Sequence, residues 1–114
     1  MSISDSNEGF GNGNSEVLDR FKAIIAQEAV ETKKDAISTA KLAISIYRSG
    51  EKELALLVIK ESIRIAKSYI ELSDKIGEGQ ENSYELLLGL ETIEELMKSG
   101  EKAEYLKGIL AELA

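Results

Sequence analysis

An all-α fold is expected: a small bundle of four to five helices, built from two stacked helical hairpins plus an N-terminal helix. Three observations predict it. From Glu16 onward apolar residues recur at spacings of three and four, which lays them along one side of a 3.6-residue helix. The 114 residues contain no proline to break such helices. The interruptions in the pattern fall instead on glycines, at Gly50, at Gly77 with Gly79, and at Gly100, as helix C-termini prefer.

Residues 1–15, MSISDSNEGFGNGNS, hold little to bury, so ordering them would go uncompensated and a disordered tail is expected. A single helical domain then spans residues 16–114. Ser15 is the expected N-cap of the first helix, whose stripe is Val17, Leu18, Phe21, Ile24, Ile25, Ala29 and Val30. The polar run 31–35 carries neither Gly nor Pro, and a break is expected there with Asp35 as the next N-cap. In residues 36–49 the apolar positions cover most of the helix circumference, so this segment is expected to lie between neighbours. After Gly50 a long helix runs to Gly77. Asn82 and Glu85 have capping-box spacing for the helix that follows, and Gly100 separates it from a final short one. Gly89 and Gly108 fall inside these last two helices. Each costs roughly 1 kcal/mol there relative to Ala, and close helix approach is the expected compensation.

Residues 36–63 align with 86–113 at an offset of 50, matching RSGEK at 48–52 to KSGEK at 98–102. Apolar residues coincide at eight positions, from Ile37 with Leu87 to Ile63 with Leu113. Two helical hairpins with the same tight connection, neither able to bury its apolar face alone, are thus expected to stack.

The first of these units resembles a tetratricopeptide repeat hairpin. The resemblance rests on Leu42 and Ala43, Gly50 and Glu51 at the turn, Ala55 at the small position, and Ile59, Ser62, Ile63 and Ile65 at later packing positions. It covers residues 36–67. Lys67 stands where the family has proline, Tyr105 occupies the small position of the second unit, and the offset of 50 exceeds the family's repeat of about 34. The resemblance implies a concave peptide-binding face on Ile37, Ala40, Ile44, Tyr47 and Arg48.

The composition narrows the chemistry. Cysteine, histidine and tryptophan are absent, leaving no disulfide, thiolate or imidazole chemistry, and an intracellular, cytoplasmic setting is expected. No stretch approaches the roughly 18 apolar residues of a membrane span, and no cofactor is expected. Asp5, Asn7 and Glu16 match three positions of an EF-hand loop, but Phe10 stands where the turn needs Gly. The alternating Gly9, Gly11 and Gly13 follow no strand, so a phosphate loop lacks its context. Glu85, Glu91, Glu94, Glu95 and Glu101 have no histidine to complete a bundle-type metal site and read as a solvated acidic face. An enzyme is not expected. The abundance of Ile, Lys and Glu is of a thermophilic kind.

The net charge of −7 is uneven, at −2 over residues 1–15, +1 over 16–76 and −6 over 77–114. Within the balanced segment Lys34, Lys41 and Arg48 recur every seven residues, and Lys60, Arg64 and Lys67 fall four and three apart. Each set lies on one helix face. The expected function is therefore a protein-interaction module, an adaptor or small subunit with a protein partner and scope for homo-oligomers. The alternative is an accessory nucleic-acid-binding domain using both basic sets.

Overall fold

A computed structural model describes the backbone of residues 7–77 and 80–114 and the side chains of 15–77 and 83–114. All of its described secondary structure is helical: α1 (Asn7–Arg48), α2 (Lys52–Ile76), α3 (Gln80–Lys98) and α4 (Ala103–Leu113). Successive helices pack against one another, and α4 returns to pack on α1. The result is an up-down-up-down bundle with one helix at each corner.

Helix α1 is continuous for 42 residues, so the expected break at 31–35 does not occur and Asp35 is not an N-cap. No proline or left-handed residue intervenes, and Ala29 and Ala36, on either side of the polar run, are buried. The run is simply the solvent side of an unbroken helix. The helix begins at Asn7, within the segment expected to be a tail, which places Ser15 in its interior; residues 1–6 lie outside the described residues. Helix α3 begins at Gln80, so Asn82 sits in its first turn and not at its cap. The Asn82 side chain lies outside the described residues.

The centre of the bundle is a seam of small residues. Ala36, Ala40 and Ala43 of α1 and Ala55, Ser62 and Ala66 of α2 are all fully buried, at the four- and three-residue spacings of a coiled-coil seam. Ser62 Oγ donates to the Ala36 carbonyl at 2.6 Å, using the second lone pair of an oxygen already in the α1 ladder. A buried hydroxyl is thereby satisfied and the register of the two helices held. Larger residues fill the side toward the second hairpin: Ile59, Leu86, Leu90, Ile93, Met97 and Leu106.

The two hairpin turns share one geometry. Gly50 and Gly100 take φ of +97° and +82°. Gly50 N–H donates to Tyr47 O at 3.0 Å and Glu51 N–H to Ile46 O at 3.3 Å, while Gly100 N–H donates to Met97 O at 3.1 Å and Glu101 N–H to Leu96 O at 2.9 Å. Each is a Schellman turn. Every residue of the eight aligned apolar pairs is at least partly buried. The turns also touch: Tyr47 OH donates to Glu101 O at 2.5 Å and Lys52 Nζ to Lys98 O at 2.8 Å. The 49–51 and 99–102 connections thus lie side by side at one end of the bundle, and α1 and α3 run the same way.

The mid-helix glycines differ. A Cβ on Gly89 would stand 2.5 Å from Leu113 Cδ1, so α4 approaches α3 closely there, whereas Gly108 has open space around it and marks no contact. Gly108→Ala is expected to stabilise the fold by about 1 kcal/mol, since only helix propensity changes. Gly50→Ala should destabilise it by about 1 kcal/mol through strain at positive φ. Urea denaturation of both variants measures the two shifts.

Candidate functional site

The face drawn from the tetratricopeptide resemblance is occupied by the chain itself. Ala40 is fully buried, Ile44 is 3% and Ile37 8% exposed, because α2 and α4 cover that side of α1. Tyr47 is spent on the second turn, and the Arg48 guanidinium is hydrogen-bonded to the Glu104 carboxylate of α4. As a set these five residues are core and hairpin contact, which corrects the expectation of an open peptide groove. Leu42, a residue carrying the resemblance, is instead 55% exposed.

The two basic sets do not share a face. Lys34, Lys41 and Arg48 line the side of α1 next to α4. Lys60, Arg64 and Lys67 are exposed on α2, about half a turn from Ser62 and Ala66, which face α1. Arg64 is also engaged locally, with Nε and Nη2 donating to the two Glu61 carboxylate oxygens at 3.0 and 2.5 Å. That hydrogen bond, with the attraction of the guanidinium, holds the Glu61 carboxyl below its ordinary range and Arg64 above its own. The α2 cations therefore form no continuous basic strip with those of α1.

Two surfaces whose exposure periodicity did not indicate stand out. The first is the projecting half of α1. At 1.5 Å per residue, 42 residues extend about 63 Å and the 25 of α2 about 38 Å. Ala26 and Ile76, the last residue of α2, border the same hollow, so the residues before Ala26 run past the end of α2. Along this projection Val17, Leu18, Phe21 and Ile24 are 65%, 57%, 62% and 65% exposed. The stripe was legible in the sequence; its lack of a cover was not.

The second surface is a groove between α1 and α2 beside the end of α4. Helix α4 has 11 residues against 19 in α3, and its Leu113 reaches α3 at Gly89. There α1 and α2 border a hollow of about 690 Å³, lined among others by the buried Ala29 and Ile37 and the half-buried Tyr69 and Ile76. Lys33, Lys34 and Lys41 edge it. Lys41 also borders a smaller hollow of about 390 Å³ between α1 and α4, with Arg48 and Lys107.

Among the described residues no carboxylates gather into a cluster suited to a metal ion, and no helix is long and apolar enough to cross a membrane. No protein family, characterised protein or solved structure matches the chain.

Tyr47→Phe tests whether the two turns are coupled as this geometry requires. Losing the hydroxyl bond to Glu101 should lower stability by about 1 kcal/mol, read as a lower urea midpoint with an unchanged slope.

Proposed function

We propose that the protein is a non-enzymatic interaction module, an adaptor or small subunit of a larger assembly, that presents the projecting half of α1 to a protein partner. The observation carrying this reading is the row Val17, Leu18, Phe21 and Ile24, four large apolar side chains more than half exposed on a segment that no helix covers among the described residues. Burial is worth about 1.5–3 kcal/mol for a fully covered side chain of this size, so the row can supply the anchors of an interface. A helix projecting from a bundle also lacks the tertiary packing that normally sustains helices. A grooved partner would supply it.

Other features support the reading. The tetratricopeptide-like first hairpin belongs to an architecture that serves as a scaffold for binding, and the chain lacks both histidine and cysteine for nucleophilic or acid–base work. An intracellular setting belongs to the same reading, because a chain without cysteine has no use for an oxidising compartment. The nucleic-acid alternative loses ground because its two basic sets diverge on the bundle.

Benzoylphenylalanine at position 21 should photocrosslink a discrete protein in extracts of the source cell, and the same group at Lys75 should not. Val17→Asp with Ile24→Asp should abolish the adduct while leaving the far-ultraviolet circular dichroism of the bundle intact, since both side chains are exposed. An adduct equally strong from Lys75, or none from position 21, contradicts the proposal.

A further inference from the structure

We propose that the lysine-rimmed hollow bordered by α1 and α2 is a second docking site, one that seats an acidic amphipathic helix of a partner protein. It is distinct from the projecting stripe and stands on different residues.

The shape argues for a helix. The hollow follows α1 from Ala26 to Lys41, about 22 Å or four helical turns. Tyr69, Ser73 and Ile76 of α2 line its other side, and Ala114 borders it. Two packed helices need an axial separation of only 8–10 Å, and the small floor residues Ala26 and Ala29 permit that approach. The apolar floor asks for an apolar stripe on the incoming helix.

The rim sets its charge. Lys33, Lys34 and Lys41 border the hollow and, among the described residues, no Asp or Glu side chain does, an exception in a chain of net charge −7. The Lys34 ammonium is only loosely paired, 4.0 Å from Glu31. Lysine stems can lie along the apolar floor while their ammonium groups reach the flanks of a seated helix. Glutamates and aspartates on those flanks are the complement, and they also secure the specificity of docking.

Other occupants fit less well. A nucleic acid would use the α2 cations, which point elsewhere, and would gain nothing from an apolar floor. A second copy offers its own projecting stripe, but at about 100° per residue Val17, Phe21 and Ile24 lie on the side of α1 opposite Ile37 and Lys41. In a two-fold antiparallel pair both copies contribute one common α1 face, so that stripe cannot enter the partner's groove.

The experiment is fluorescence anisotropy with the intact 114-residue chain and three labelled probes. These are a designed amphipathic Leu/Glu helical peptide of about four turns, its Leu/Lys counterpart, and a DNA oligonucleotide in single- and double-stranded form. The acidic peptide should bind saturably, weaken with added salt, and bind at least about tenfold more weakly to the K33E/K34E/K41E variant. Ser38→Trp, at an exposed position lining the hollow, should also weaken it by filling the groove without touching a charge. The K60E/R64E/K67E and F21D variants should bind as the parent does, and the last of these separates this site from the α1 projection. No saturable binding of the acidic peptide overturns the proposal, as does equal binding of the basic peptide. Tighter binding of DNA that K33E/K34E/K41E abolishes also overturns it. Should the triple variant fail to fold, unaltered binding to Ser38→Trp is equally decisive.

Discussion

The rest of the structure depends on the close packing of α1 against α2 along a seam of alanine and serine. Ala36, Ala40, Ala43, Ala55, Ser62 and Ala66 have no accessible surface, and their small side chains bring the two backbones near enough for Ser62 to reach a main-chain carbonyl of the other helix. Close packing of this kind gains dispersion energy over many atoms, and the backbone contact holds one register. Because that register brings Arg48 and Lys52 to one end, the Schellman turn at Gly50 follows with little freedom. The second hairpin then docks turn against turn.

The seam also determines what is left over. It uses α1 only as far as α2 extends, and α2 ends at Ile76, level with Ala26. The preceding part of α1 continues without a partner, carrying an apolar row that in an ordinary bundle helix would face a core. Beside it α4 reaches Gly89 with Leu113, and a hollow between α1 and α2 is lined by the buried Ala29 and Ile37 and the half-buried Tyr69 and Ile76. Both surfaces are consequences of unequal helix lengths. One is a protruding ridge and the other a groove, and they present different chemistry: a neutral apolar row on the ridge, and an apolar floor with a lysine rim in the groove.

Local features were legible in the sequence wherever a residue type has one conformational meaning. Gly50 and Gly100 end helices because a left-handed residue closes the Schellman turn, and the matched RSGEK and KSGEK segments adopt that same turn. The break expected at residues 31–35 was illegible as continuity, since a run of polar residues signals equally a loop or the wet side of a long helix, and burial of Ala29 and Ala36 on either side decided for the helix. Gly89 and Gly108 look alike in the sequence, yet one meets Leu113 and the other open space. The candidate binding face on Ile37, Ala40 and Ile44 had the right composition for either a groove or a core, because both require apolar side chains.

By itself, then, the sequence determined the helical class, the two matching glycine turns and a chemistry without thiol or imidazole. These follow from periodicity and from residue types, which act over a few neighbours. Tertiary structure alone decided which apolar faces are covered, where α1 outruns α2, and which lysines share a rim. Those properties depend on the relative lengths and registers of helices distant in sequence, and amphipathic periodicity is the same whether or not a neighbour is present to bury it.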